Sequence, residues 1–108
     1  MSFDVRELPR ARDDKQAILE WLLDRSRQGA TAWLDAYDDA IARLRDHASA
    51  YEQALESNAC PQVDVRQLLF RTRRGRVYRI IFCIDQQNVF VLRVRGPGQP
   101  PLRPDELP

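Results

Sequence analysis

The stretch VRQLLFRTRRGRVYRIIFCIDQQNVFVLRVR, residues 65–95, decides the fold. Three runs rich in β-branched and aromatic side chains, Val65–Arg71, Val77–Ile84 and Val89–Arg95, are separated by the short polar connections Thr72–Arg76 and Asp85–Asn88. Such side chains suit a pleated surface, and consecutive strands joined by short turns make an antiparallel meander. Period-two alternation then sorts residues by face. With Gln86-Gln87-Asn88 as a three-residue loop, Tyr78, Ile80, Phe82 and Ile84 share one face with Phe90, Leu92 and Val94. A two-residue loop would bury Arg93 and Arg95 beside Phe82, so hydrophobic patterning selects the longer loop.

The opposite face then carries Gln67, Leu69, Arg71, Arg79, Ile81, Cys83, Val91, Arg93 and Arg95, with Arg79 directly opposite Arg95. Like charges opposed across a strand pair cost some tenths of a kcal/mol, up to about one. Either an anion sits there, or an acid of the chain (Asp105, Glu106 or a neighbour) neutralises the pair. A face of apolar and arginine side chains also suits a partner peptide.

Upstream the period changes. Residues 2–6 alternate as a half-buried strand, closed by Pro9. Asp13 and Asp14 suit a helix N-terminus, Arg25 and Arg27 a C-terminus, and Gly29 the left-handed residue that ends that helix. Ala11, Ile18, Trp21 and Leu22 form its apolar stripe. A second helix has Ala30, Trp33, Tyr37, Ala40, Ile41, Leu44 and Ala48 on one face, and Asp35, Asp38, Asp39, Arg43 and Arg45 on the other. Trp21, Trp33 and Tyr37 therefore read as core. His47, the single histidine, reads as a surface residue near a helix end. Residues 49–62 form a connector stopped by Pro61, and the last residues form a proline-rich extended tail, docked over the sheet or mobile. The order is β-α-α-β-β-β, an α+β fold with a helical hairpin on one face of a small, mainly antiparallel sheet. The domain runs over 1–97 and the tail over 98–108.

Composition narrows the class. The chain has 108 residues, 31% charged and 44% hydrophobic, which fits one globular domain. No apolar stretch is long enough to span a bilayer and the N-terminus has no signal-peptide core, so a cytoplasmic location is expected. Cys60 and Cys83 lack metal or redox spacing, so they read as reduced structural thiols, with neither metal nor cofactor expected. Charge is uneven. Residues 1–59 hold eight Arg/Lys against twelve acids, whereas residues 60–97 hold eight arginines against Asp64 and Asp85. That asymmetry points to an anionic partner for the second half. Sixteen arginines stand beside a single lysine, Lys15, and arginine grips phosphate and carboxylate bidentately.

The three strand runs, above all Val77-Tyr78-Arg79-Ile80-Ile81-Phe82, together with Ala11-Arg12-Asp13-Asp14-Lys15 leading to Ile18 and Trp21, resemble the RelE/ParE superfamily of toxins from type II toxin–antitoxin systems. The likeness covers about residues 3–97. It implies either a RelE-like, ribosome-dependent messenger-RNA endonuclease or a ParE-like poison of DNA gyrase. It also implies a cognate antitoxin as partner, a higher toxin–antitoxin oligomer and no membrane role. Arg79 matches the family's phosphate-stabilising strand arginine. RNA cleavage without metal also needs a base and an acid. The family's catalytic Tyr, His or basic residues near the chain end are replaced by Arg95-Gly96-Pro97-Gly98-Gln99, and Tyr78 falls on the core face. Glu56 and Asp64 are the base candidates that remain. The expectation is thus a ParE-like toxin that does not cut RNA, with Arg71, Arg79, Arg93 and Arg95 binding the acidic antitoxin or another anion. A non-toxic nucleic-acid module or an inactive toxin are the other readings. The exposed face lacks the stacking aromatics that RNA-binding sheets present.

Overall fold

The computed structural model describes residues 2–58 and 63–107; Cys60 and Pro61 lie outside them. Strand β1 (Asp4–Glu7) leads into helix α1 (Pro9–Leu23), and helix α2 (Arg27–His47) follows. One-turn 3₁₀ segments at Ala48–Ala50 and Leu55–Asn58 carry the chain to β2 (Val65–Phe70), β3 (Tyr78–Asp85) and β4 (Asn88–Arg95). A last 3₁₀ turn spans Pro104–Glu106. The sheet order is β1-β4-β3-β2, with β1 parallel to β4 and the other pairs antiparallel. The β-α-α-β-β-β order and the α+β class are as expected from the sequence.

Helix boundaries differ from the sequence expectation. α1 begins at Pro9 rather than near Asp13, because proline at the first helical position has its φ preset and lacks an N–H that would be unsatisfied there anyway. Asp14 is thereby freed to face the sheet. Gly29 does not end α1. Ser26 caps α2 instead, its Oγ accepting the Gly29 N–H at 3.0 Å, so Gly29 and Arg27 lie inside the second helix. Arg25 closes α1 by donating to the Trp21 carbonyl at 3.0 Å.

The apolar face of α2 is buried as its spacing predicts: Ala30, Trp33, Tyr37, Ala40, Ile41, Leu44 and Ala48 pack with Leu68, Phe70, Ile80, Phe82, Val89, Val91 and Val94 of the sheet. Trp33 stacks on Tyr37 and meets Phe70 and Tyr78, forming an aromatic cluster. Tyr37 donates to Glu7, which also meets Lys15 at 3.5 Å. Burial, then the Glu7 hydrogen bond, drives the Tyr37 hydroxyl far above its ordinary range, so it stays a neutral donor. The single lysine thus helps tie β1 to both helices.

The β3–β4 turn is tighter than the sequence pattern predicts. Asp85 pairs with Asn88, so the loop has two residues, and Gln86 takes a φ of 56°. That register puts Val89 and Val91 under the helices and sends Phe90 and Leu92 to the other face, the reverse of the expectation. Past Leu92 a β-bulge shifts the pairing, Phe82 facing Val91 but Ile81 facing Arg93. The extra residue restores Arg79 opposite Arg95 and keeps Val94 in the helix-side core. A bulge permits what strict alternation forbids: a short turn and arginines on the back face together.

That back face is a second core. Ala54, Val65, Ile81, Leu92 and Leu102 are buried in it, with Leu8, Cys83, Phe90 and Leu107 packed around them. Burial pushes the Cys83 thiol up, which suits an inert structural cysteine. Leu102 comes from the proline-rich tail, which therefore lies docked over the sheet.

Candidate functional site

The tail and the connector also decide the state of the back-face arginines. Arg79 reaches across β2 to Glu56, with Nη2 3.0 Å from Oε2 and Nη1 3.3 Å from Oε1, and Nη1 also meets the Gln67 Oε1 at 2.9 Å. Glu56 has no exposed side-chain surface, and its Oε2 accepts the Leu102 N–H at 2.9 Å. Burial alone would raise the Glu56 carboxyl, but the bonds from Arg79 and Leu102 outweigh it and hold it below the usual glutamate range. Arg93 forms a two-pronged pair with Asp14 at 2.7 and 2.9 Å and donates to the Glu106 carbonyl. Asp14 also accepts the Val94 N–H, standing in for a neighbour strand beyond the end of β1. Arg95 is buried and donates to the Pro100 carbonyl at 2.9 Å, while its Nε has no acceptor among the described residues.

Of the four arginines expected to form one binding surface, three are therefore consumed by the fold. Arg79 and Arg95 do oppose each other, and acids and carbonyls of the chain itself relieve the opposition. Arg71 alone is exposed. Glu56 meets Arg79 as a structural counter-ion, not as a free base. Asp64 is held apart from them: hydrogen bonds from Gln53 and then Arg66 pull its carboxyl below the ordinary aspartate range. His47 is exposed at the far end of α2.

The open concavity lies elsewhere, at the end of the molecule where the α1–α2 corner meets the Thr72–Arg76 turn and the start of the tail. It encloses about 700 Å³, within the usual range for ligand sites. Ile18, Trp21, Leu22, Trp33 and Tyr78 line it on the helix and sheet sides, and Arg74 and Arg76 line it on the turn side. Trp21, expected in the core, is 53% exposed here, because the β2–β3 turn does not close over the end of α1. Arg25 lies on its ring, 3.6 Å from the centroid. Burial raises the Tyr78 hydroxyl, with Arg76 pulling the other way. The Trp33 indole N–H is buried with no acceptor among the described residues.

No lining residue is acidic. Among the described residues Arg25, Arg71, Arg73, Arg74 and Arg76 form no ion pair. In the sequence Arg74 and Arg76 count among the arginines that point to an anionic partner, but Thr72–Arg76 reads there as a connection and neither is singled out as a site residue. The available signal was three arginines in five residues with no acid beside them. No protein-family model, no curated protein and no solved structure matches this chain.

Proposed function

We propose that this chain is a toxin of the RelE/ParE type that acts by binding rather than by cutting RNA, held in check by a cognate antitoxin. One observation carries the choice between binding and cutting: Arg79 is engaged bidentately by the buried Glu56. A messenger-RNA phosphate would have to displace that carboxylate before Arg79 could stabilise charge on it. A general base works best with a pKa near the operating pH. Glu56 and Asp64 are both held low by their hydrogen bonds, which disfavours proton abstraction. The groove and Arg74 and Arg76 on its rim, which form no ion pair among the described residues, supply the binding surface. DNA gyrase as the target comes from the family resemblance alone, as does the antitoxin.

The test is induction of the chain by itself in bacterial cells, following growth, DNA breaks and messenger-RNA integrity together. Growth arrest with broken DNA and intact messages is expected. Arrest with cut messages and intact DNA would replace this reading by the nuclease one, and Glu56 and Asp64 would then be substituted. Cells that keep growing would overturn the toxin reading.

A further inference from the structure

We infer that the groove between the α1–α2 corner and the Thr72–Arg76 turn is a docking site for an acidic peptide segment of a partner protein, one that inserts a large apolar side chain between flanking Asp or Glu residues. This deepens the toxin reading, and rests on it only in that the partner would then be the antitoxin.

The floor of the groove is apolar and aromatic, and Trp21 leaves half of its surface to solvent. Covering such apolar surface is favourable because it is removed from water, and tryptophans of this kind are the usual anchors of protein interfaces. Around that floor stand Arg74 and Arg76, with Arg71 and Arg73 exposed close by in sequence, while Arg25 lies over the Trp21 ring and donates to the Trp21 carbonyl. Elsewhere in this protein covered guanidinium groups are matched by carboxylates or carbonyls: Arg79 by Glu56, Arg93 by Asp14, Arg66 by Asp64. Here no lining residue is acidic. The complement of an apolar slot with an unmatched cationic rim is a segment that carries its own carboxylates.

Other occupants fit less well. Nucleic acid would need open ring faces for stacking. One face of Trp21 is covered by Arg25, while Tyr78 stacks on Phe70 and meets Trp33 edge-on. A second copy of the chain would have to offer acids with apolar anchors between them. Its acidic α2 face, Asp35, Asp38 and Asp39, exposes no large apolar side chain among those residues. The exposed Trp21 and Leu23 do stand between Glu20 and Asp24, but they belong to the end of α1 that builds the groove itself.

The test pans a library of random peptides displayed on phage against the intact chain, with the Arg74→Glu/Arg76→Glu and Trp21→Ala variants as counter-targets. Circular dichroism and urea unfolding check that each variant is folded. Enrichment of peptides with Asp or Glu flanking Leu, Phe or Trp is expected. Each variant should weaken a synthetic copy of the selected peptide by about tenfold or more, and the loss in the Arg74→Glu/Arg76→Glu variant, unlike that in Trp21→Ala, should shrink as salt screens the rim. Enrichment without that pattern, binding retained by both variants, or no enrichment overturns the proposal. So does displacement of the selected peptide by a single-stranded RNA oligonucleotide, which would make the site a nucleic-acid surface, or self-association that blocks the groove. The toxin reading is tested separately by growth. Arrest without peptide binding defeats the groove assignment alone, and peptide binding without arrest defeats the toxin reading alone.

Discussion

Arg79, Arg93 and Arg95 lie on the back of the sheet, where side-chain exposure falls to 19% for Arg79 and 15% for Arg93, and each has a carboxylate or carbonyl partner. Arg71, Arg73, Arg74 and Arg76, a few residues away in the chain, are exposed around a turn, and none forms an ion pair among the described residues. Water solvates the second group at no cost. The first group lost that water when the connector and the tail covered it, so the fold had to supply partners. A cluster of arginines in a sequence can therefore hold two populations, one structural and one free to bind. Only the second is available to a partner without dismantling something.

This contrast can be broken first at Glu56. Glu56→Ala should destabilise by about 3 kcal/mol, because removing one member of a buried pair strands the other and also leaves the Leu102 N–H without its acceptor. Urea unfolding would measure it, and a loss under about 1 kcal/mol would mean that the back-face pair is not structural. Leu102→Ala comes next, at roughly 2–3 kcal/mol for emptying a buried leucine site; an unchanged midpoint would mean that the tail is not docked.

The Glu56 pair also leaves a pH signature. Its folded-state carboxyl sits below the ordinary value, so the unfolded chain binds the proton more readily. The pair's contribution is full above the unfolded glutamate pKa, about 4.3, and is lost as pH falls through the lower folded value. Acid titration of stability should show this fall in the native chain and a flatter profile in Glu56→Gln; parallel profiles would assign the acid sensitivity elsewhere. The smallest effect belongs to the turn. Arg74→Glu/Arg76→Glu should move stability by less than about 0.5 kcal/mol, as exposed substitutions do. A larger loss would show that these arginines too are structural.

Much of the fold was legible because its signals are local. The spacing along α2 marked the residues that are buried, and the three strand runs marked the meander. The β3–β4 register misled because a bulge has no local signature here. Phe90, Leu92 and Val91 are all acceptable on either face of a sheet with two cores, so patterning chose the wrong loop. Trp21 misled for a related reason: its place on an apolar stripe says that it wants cover, and only the reach of the β2–β3 turn decides whether cover arrives.

The candidate site was legible in charge but not in position. An arginine-rich second half is visible in composition, and the opposition of Arg79 and Arg95 follows from pairing. Which guanidinium is neutralised depends on contacts such as Arg79 with Glu56 and Arg93 with Asp14, far apart in sequence. By itself the sequence determined the element order, the buried face of the second helix and the charge asymmetry, since these are set by side-chain periodicity and composition within a few turns of chain. Tertiary structure alone decided that the tail seals the back of the sheet, that three arginines are consumed there, and that the open groove lies at the α1–α2 corner. Those outcomes depend on long-range closure, which brings together groups that no local pattern links.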